Sequence, residues 1–246
     1  SYRINRPNYQ LFNPFVRYLD PINFDTGNEN LLPTFRQNFD FSYRYKQFIN
    51  VLVGRSIGKN EIVIFTEIVG DKNYQKPYNL GQSQTWSLAI NFTYNPIKVW
   101  QINYNFQRLF SEYSGSANQT VINNKVQTSR VRLLNQFTFS KSLSADITFN
   151  FNGREFSQLS IVEPRWFITN TGIQKKFLKE KATLRISGED IFYKNKRRAN
   201  AIGLKNATLV TKSEFDSRRV VFSLTYRFGN EKFLRSRNHQ AQVLGN

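Results

Sequence analysis

The feature of this sequence that most constrains its fold is a repeated alternation of apolar and polar residues with a period of two. In residues 35–45 the odd positions are almost all aromatic, whereas the even positions are polar or charged. Successive side chains of a β-strand point to opposite faces, so this pattern predicts a strand with one apolar and one polar face. Strand patterns also occur in residues 1–5, 86–94, 100–107, 131–139, 143–151, 166–175, 182–192 and 220–228.

The composition indicates which environment the apolar faces require. Only 39% of the residues are hydrophobic and the mean hydropathy is −0.53, yet 15% are aromatic, including 23 Phe and 12 Tyr. A soluble core usually contains mainly aliphatic side chains, whereas a lipid-facing strand alternates bulky apolar groups and places aromatic rings at both membrane interfaces. No stretch approaches the roughly 18 consecutive apolar residues of a spanning helix. The sequence therefore favours strands as the membrane-crossing elements.

The predicted connections fall into two length classes. Short ones occupy residues 46–48, 95–98, 141–142 and 177–181, and longer polar ones occupy residues 6–33, 71–80, 111–127 and 194–212. Short turns at one rim and long loops at the other are typical of outer-membrane barrels. The alternation in residues 51–69 loses its phase at Lys59, Asn60 and Glu61, and we interpret this segment as one long strand that extends past the membrane.

Counting the opening strand gives about ten strands, an even number as in most bacterial barrels. The predicted fold class is therefore all-β, a transmembrane antiparallel up-and-down β-barrel, and we expect these strands to be part of a larger barrel. A segment of a larger barrel has two open edges, which hydrocarbon does not tolerate. We therefore expect the isolated segment to aggregate in detergent.

The charge of the chain does not indicate nucleic-acid binding. Lys and Arg exceed Asp and Glu by 35 to 17, which gives a formal charge of +18. The basic residues are scattered through turns and through the polar phase of the strands, and they form no basic helix or known nucleic-acid module. We therefore expect no nucleic-acid partner.

The sequence offers little of the chemistry that enzymes, metal sites and cofactor sites need. The chain has no Cys, which excludes disulfides and zinc–thiolate sites. Its single histidine, His239, lies near Arg235 and Arg237 in a basic tail, whereas catalytic bases are most often histidines within a built site. Glu189 and Asp190 are adjacent, so in a strand they point to opposite faces. We expect no enzymatic activity, catalytic residue, metal site or cofactor.

Several spaced motifs resemble one known family. They are RINRPNYQ in residues 3–10, NPF in 13–15, GN in 27–28, LP in 32–33, NLG in 79–81, KATLRISGEDIF in 181–192 and SLTYRFG in 223–229. Across nearly the whole chain they resemble the outer-membrane β-barrel region of TonB-dependent-receptor-like proteins from Bacteroidetes-type Gram-negative bacteria. The resemblance implies the C-terminal portion of a barrel of about 22 strands that an N-terminal domain plugs. It also implies nutrient uptake that an energised inner-membrane complex drives through TonB.

The resemblance implies a division of the chain and a set of partners. Residues 1–229 are expected to form the C-terminal portion of the barrel, and residues 230–246 a basic periplasmic tail. The expected location is the outer membrane of a Gram-negative bacterium. The expected partners are outer-membrane lipid, the rest of the parent barrel, its plug domain, the TonB complex through an N-terminal part, and surface lipoproteins. The alternative function is a structural barrel subunit that scaffolds a multiprotein outer-membrane complex.

Two sets of residues are candidates for function. The first set lies at the polar phase of the strands and is predicted to face the lumen: Arg36, Arg44, Arg130, Arg132, Arg185 and Arg227. These arginines could bind an anionic substrate or pair with Asp40, Asp146 and Glu189, and we favour pairing because an ion ladder needs no ligand. The second set lies in predicted extracellular loops, which usually carry recognition: Asn73, Tyr74, Tyr78, Tyr113 and Asn118.

A soluble β-sandwich would use the same alternation in a different way. Its two sheets would bury their apolar faces against each other instead of exposing them to lipid. This alternative predicts that one core contains Phe39, Phe41, Ile90, Phe92, Phe149 and Phe222. The exposure of these side chains therefore distinguishes a sandwich from a barrel wall.

Overall fold

The computed structural model of the chain describes residues 1–157, 159–202, 204 and 208–228. Within this range the elements are β1 (Tyr2–Asn5), α1 (Tyr9–Phe12), β2 (Arg17–Tyr18), β3 (Asn23–Asp25), β4 (Thr34–Tyr45), β5 (Ile49–Lys59), β6 (Ile62–Val69), β7 (Lys72–Asn79), β8 (Gln82–Ile97), β9 (Trp100–Ala117), β10 (Thr120–Thr138), β11 (Leu143–Asn152), β12 (Glu155–Ser157), β13 (Ser160–Val162), β14 (Arg165–Phe177), β15 (Ala182–Glu189), β16 (Lys196–Ala201), β17 (Val210–Glu214) and β18 (Arg219–Tyr226). None of the helices in this range is long and apolar enough to cross a membrane. The predicted tail, 230–246, and its His239 lie outside the described residues.

Ten of these strands form one main sheet with the order β1-β4-β5-β8-β9-β10-β11-β14-β15-β18. Every neighbouring pair is antiparallel, and the order follows the chain. This is an up-and-down meander, so the predicted fold class and the count of about ten wall strands are confirmed. The sheet is not closed, because β1 and β18 form its two edges.

Tight turns join the wall strands at one rim. They span residues 46–48, 98–99, 139–142 and 178–181. The turn before β15 is built from three consecutive residues in the left-handed region, Leu178, Lys179 and Glu180, with φ of 53°, 53° and 67°. Such a conformation reverses the chain within a few residues, and the long polar connections all fall at the opposite rim. The predicted asymmetry between the two rims is therefore present.

The opposite rim, which we call the long rim, contains strands where the sequence predicted loops. The interpretation of residues 71–80 as a loop is wrong, because β7 lies there and pairs with β6. The interpretation of residues 111–127 as a loop is also wrong, because β9 and β10 stay paired up to Ala117 and Thr120. Asn118 and Gln119, with φ of 45° and 60°, then make a two-residue turn, so this hairpin extends beyond the rest of the wall.

The prediction of one long strand in residues 51–69 is wrong as well. The chain turns at Asn60, whose φ is 56°, and the segment divides into β5 and β6. Whereas β5 belongs to the main sheet, β6 belongs to a four-stranded sheet with the order β2-β3-β7-β6. A second sheet at the long rim has the order β12-β13-β16-β17. The loss of phase at Asn60 thus marks the point where the chain leaves the wall.

The strand register separates the side chains of the main sheet onto two faces, since directly paired residues share a face. One cross-strand row on the apolar face consists of Tyr43, Val51, Ile90, Phe106, Val131 and Phe151. Phe39, Phe41 and Phe222 are 60%, 69% and 71% exposed. The soluble sandwich is therefore wrong, because the residues it requires in one core cover the outside of a single sheet.

Asn135 interrupts the predicted alternation of its strand, and the structure gives the reason. It lies on the apolar face, paired with Ile102 and Ile147, and is 8% exposed. The indole Nε1 of Trp100 donates a hydrogen bond to Asn135 Oδ1 at 3.1 Å. The Trp100 ring therefore covers the amide and satisfies its oxygen, which makes a polar side chain tolerable on this face.

A small hydrophobic core lies at the long rim. Its buried members come from several connections: Val63, Phe65, Leu80, Ala117, Ile122 and Leu159. Gly115 of the hairpin lies against the backbone of Leu80, and a Cβ at Gly115 would overlap the carbonyl oxygen of Leu80. The close approach of these two backbones therefore requires a glycine, and it fixes the hairpin against the neighbouring connection.

The register of the last wall strands can be tested by cross-linking. Ala182 and Tyr226 are directly paired across β15 and β18, whereas Thr225 points to the other face. We expect Ala182→Cys with Tyr226→Cys to form a disulfide in the oxidising periplasmic environment, because the Cβ atoms of a non-hydrogen-bonded antiparallel pair approach to about 4.5 Å. Ala182→Cys with Thr225→Cys is the control and should remain reduced. The chain has no Cys of its own, so a gel-mobility comparison with and without reductant measures the bond directly. A disulfide in the control pair alone would refute this register.

Candidate functional site

The most polar surface of the main sheet is a row of side chains that crosses six strands on the face opposite the aromatic residues. Its members are directly paired: Arg44, Asn50, Asn91, Asn105, Arg132 and Asn150. Asn105 Nδ2 donates to Asn91 Oδ1 at 3.1 Å. The adjacent row adds Gln107, Arg130 and Asn152. We call this surface the polar wall.

A cavity of about 480 Å³ lies on the polar wall between β8 and β14. Its polar lining comes from both rows: Asn91, Asn105, Gln107, Arg130, Arg132, Asn150 and Asn152. The structure thus brings two of the six predicted arginines, Arg130 and Arg132, to one cavity and surrounds them with amides. Apolar residues, among them Phe106, Val131 and Phe151, complete the lining. The amides both donate and accept hydrogen bonds and the arginines add charged donors, so the polar part of the lining suits an anionic group rich in oxygen atoms.

Arg130 and Arg132 differ in what they bind. The Arg130 guanidinium donates to Glu155 Oε2 at 2.9 Å and to Gln107 Oε1 at 3.3 Å. Arg132 and Arg44 are exposed, and the guanidinium group of neither forms a hydrogen bond or an ion pair with any residue that the structure describes. Arg132 therefore presents an unneutralised positive charge to the cavity, whereas the charge of Arg130 is already compensated.

Arg36 and Arg185 form two-oxygen contacts with carboxylates. Arg36 Nη2 lies 2.7 and 2.9 Å from the two carboxylate oxygens of Glu61, which also accepts from Ser83 Oγ at 3.0 Å. Arg185 donates to Asp146 Oδ1 at 2.8 Å and to Oδ2 at 3.1 Å. These geometries support the pairing interpretation for Arg36 and Arg185.

Gly172 makes the contact between Arg185 and Asp146 geometrically feasible. Asp146 and Arg185 lie on strands that β14 separates, and they are not directly paired. The guanidinium crosses β14 at Gly172, where a Cβ would overlap it. A residue without a side chain at this position therefore allows a charge pair to bridge three strands.

The sixth arginine, Arg227, lies beyond the end of β18 and is exposed. Its backbone N–H donates to the carbonyl of Lys181 at 2.8 Å. It is close to the tight-turn rim and does not line the polar cavity. The prediction that it faces the lumen remains a prediction.

The five predicted loop residues lie at the long rim, and four of them are in strands. In β7, Asn73 Nδ2 donates to Asn23 Oδ1 at 3.0 Å, and the ring of Tyr74 stacks on Phe24 with centroids 5.1 Å apart. Tyr78 OH donates to Glu67 Oε1 at 2.6 Å. Burial and this hydrogen bond to Glu67 raise the pKa of Tyr78 above its usual range. The contacts of these side chains are thus made within the sheet β2-β3-β7-β6.

The other two predicted loop residues belong to the hairpin. The ring of Tyr113, in β9, lies 4.4 Å from that of Phe156, and burial raises the pKa of its phenol. Asn118 occupies the hairpin turn and is exposed. Of the five residues, Asn118 is therefore the one with an exposed side chain, and ligand capture by this set remains a prediction.

Asp190 organises the connection between β15 and β16, a role that the sequence did not reveal. Its side chain is 2% exposed, and its oxygens accept from the backbone N–H groups of Lys194 and Asn195 at 2.8 and 2.9 Å and from Ser217 Oγ at 2.7 Å. Burial raises the pKa of Asp190, but the bonds from Ser217, Lys194 and Asn195 and the charge of Arg218 outweigh it and hold that pKa below its usual value. Glu189 binds a separate partner, Arg219, at 2.7 Å.

Comparison with known proteins identifies the protein family to which the main sheet belongs. Residues 1–226 match the outer membrane protein beta-barrel family. The chain belongs to this family. The predicted all-β barrel, its location in the outer membrane of a Gram-negative bacterium and the resemblance to the barrel region of TonB-dependent-receptor-like proteins are therefore confirmed. The narrower assignment to Bacteroidetes-type bacteria remains a prediction.

Two solved structures resemble the barrel segment. The siderophore receptor PirA from Pseudomonas aeruginosa matches with a TM-score of 0.62 and 16% identity, over 93% of this chain and 38% of that one. A Q482A mutant of the ferric enterobactin receptor PfeA from the same organism, in complex with enterobactin, matches with a TM-score of 0.58 and 15% identity, over 92% and 37%. No match was found among proteins with curated descriptions. At these identities the likeness shows the fold, and the chain spans well under half of each receptor's length.

The role of Gly172 can be tested with a double-mutant cycle in the barrel. We expect Gly172→Ala to cost about 1 kcal/mol of unfolding free energy, because the new methyl group displaces the partly exposed Arg185 guanidinium from Asp146. In an Arg185→Ala background the same change should cost much less, since nothing then crosses β14 at this point. Urea titration of heat-modifiable gel migration measures both values. Equal costs in the two backgrounds would show that Gly172 serves another purpose.

Asp190 predicts a pH dependence of the long rim. Because its pKa is lower in the folded protein than in the unfolded chain, its stabilising effect is complete above the unfolded value of about 3.9. The effect is lost as the pH falls through the lower folded value. We expect hydrogen exchange at the Lys194 and Asn195 amides to accelerate in this acidic window. Asp190→Asn should already show fast exchange at neutral pH, whereas Asp216→Asn, which removes an exposed charge from the nearby connection between β17 and β18, should not. Unchanged exchange in Asp190→Asn would contradict this assignment.

Proposed function

We propose that this chain forms part of the barrel wall of a TonB-dependent-type receptor that imports a nutrient across the outer membrane. The plug and the segment that contacts the TonB complex belong, in this proposal, to parts of the protein outside the chain. The single observation that carries the proposal is the polar wall, which combines amide rows with the uncompensated charge of Arg132 beside a cavity of about 480 Å³. A structural wall needs no such group.

The chemistry of the polar wall favours an anionic, oxygen-rich nutrient. Arg132 offers a charged donor and Arg44 a second one at the other end of the same row. The amides between them supply neutral donors and acceptors along the path. The two similar structures are described as receptors for a siderophore and for ferric enterobactin, and we propose an iron chelate of this general kind as the nutrient.

The proposal makes the protein a receptor and transporter and gives it no enzymatic role. Within the described residues, there is no group of three or more His, Cys, Asp or Glu that could hold a metal ion. The chelate would therefore be recognised through its ligand shell and not through direct coordination of its metal by the wall. The comparisons give no support to the alternative of a scaffolding subunit.

The proposal can be tested by uptake in iron-limited cells that carry the full-length protein. A panel of radiolabelled ferric siderophores should include at least one whose uptake requires the gene. We expect Arg132→Gln to weaken the apparent affinity for that chelate about tenfold, the typical effect of losing one charge-assisted hydrogen bond. Uptake would be measured as a function of chelate concentration.

Lys125→Gln is the matched control for this experiment. Lys125 lies on β10 like Arg132 but at the opposite phase of the strand, and its ion pair with Glu112 joins two exposed side chains. The variant removes the same charge from the other face and should leave uptake unchanged. Equal losses in both variants would refute recognition by the polar wall. If no iron chelate or other tested nutrient requires the gene for uptake, the import function itself is wrong.

A further inference from the structure

The apolar face of the main sheet contains a large groove below the long rim. Its volume is about 1150 Å³. The apolar lining comes from four consecutive wall strands and consists chiefly of Tyr104, Val131, Leu133, Phe149, Phe151 and Trp166. A regular barrel exterior presents a smooth band of side chains to lipid, so a cavity of this size requires a local cause.

A β-bulge between β11 and β14 forms one side of the groove. Asn150 pairs with Ile168 and Asn152 with Arg165, so Trp166 and Phe167 together oppose Phe151. Phe167 has a φ of 51°, and its carbonyl accepts a hydrogen bond from Thr169 Oγ1 at 2.9 Å. A bulge inserts an extra residue and re-aims the neighbouring side chains. Here it places two exposed aromatic rings, 5.9 Å apart, beside the groove.

Positive charges line the end of the groove that is nearest the long rim. Arg165, Lys194 and Lys196 are part of the lining. Lys196 is paired with Glu214 at 3.3 Å, but neither Arg165 nor Lys194 has a carboxylate partner among the residues that the structure describes. The apolar groove therefore ends at two uncompensated cations, Arg165 and Lys194, which we call the basic pair.

Other contacts hold the basic pair in place. Arg165 Nη1 donates to Asn195 Oδ1 at 3.2 Å. The backbone N–H groups of Asn195 and of Lys194 donate to the buried Asp190 carboxylate. Asp190 thus fixes the backbone that carries Lys194 and the amide that orients Arg165, so less conformational freedom is lost when an anion binds.

We propose that this groove binds one phosphorylated glycolipid of the outer leaflet, with its acyl chains along the aromatic lining and a phosphate at the basic pair. The long rim of an outer-membrane barrel faces the cell exterior, so a lipid of the outer leaflet that fills the groove would place its anionic headgroup at the basic pair. The apolar lining lies on the membrane side of the groove and the basic pair lies at the end nearest the long rim. This is the order in which acyl chains and an anionic headgroup follow each other along the membrane normal. The proposal requires only the outer-membrane location and is independent of nutrient uptake.

The basic pair provides the first test. The full-length protein is purified from outer membranes in mild detergent, and the lipids that co-purify are extracted and quantified per protein by mass spectrometry. We expect about one phosphorylated glycolipid per protein. Arg165→Gln with Lys194→Gln should reduce this about tenfold, the effect of losing charge-assisted contacts to a phosphate. Arg198→Gln with Lys212→Gln is the control, because it removes two exposed cations from the sheet β12-β13-β16-β17 and should retain the lipid.

The apolar end provides the second test. Val131→Trp places a bulky ring in the groove without a change of charge and should also release the lipid, whereas Leu184→Trp, on the apolar face outside the groove, should not. Heat-modifiable migration confirms that each variant is folded. Equal retention of the lipid in all variants would show that the groove makes only ordinary contact with surrounding lipid, and it would overturn the proposal. Equal loss of the lipid in test and control variants would also overturn it. Recovery of inorganic phosphate without glycolipid would overturn it as well.

Discussion

The rest of this structure depends on the need to satisfy backbone hydrogen bonds in hydrocarbon. Water is absent there, so every N–H and C=O of a spanning segment must pair within the protein. The ten-strand antiparallel ladder meets this requirement across its interior, and chain order equals strand order throughout. Once the ladder is fixed, alternation assigns every side chain to one of two faces. The aromatic exterior, the polar wall and the positions of the glycines are consequences of that assignment.

The same constraint explains why the wall strands could be predicted from the sequence and the long-rim strands could not. Wall strands separate two different environments, and this produces the strict alternation of β4 or β18. At the long rim, β7 pairs in parallel with β3, which lies about fifty residues earlier, and neither strand separates lipid from a polar interior. Without two contrasting faces the sequence has no period of two. Residues 71–80 therefore had the composition of a loop although they form a strand.

The candidate site was predictable in part for a similar reason. The polar phase assigned Arg130 and Arg132 to the face where the structure places them. It could not indicate that Arg130 is neutralised by Glu155 and that Arg132 is not, because Glu155 belongs to a connection whose position no periodicity encodes. The partner of Arg36 was hidden in the same way, since Glu61 lies where one strand ends. Gly172 gave no signal either, because its role depends on a charge pair between its two neighbouring strands, β11 and β15.

The two open edges of the main sheet are the parts of this structure that depend on the rest of the barrel. β1 pairs with β4 and β18 pairs with β15, and the outer edge of each is unpaired in the main sheet. In hydrocarbon such edges are costly, so the complete wall must supply further strands. The strands that line the polar cavity and the apolar groove, β8 to β14, have paired strands on both sides, and Phe192, Lys194 and Lys196 of the long rim complete the groove. Closing the barrel therefore adds neighbours at the edges and leaves the cross-strand pairs beneath both sites as they are.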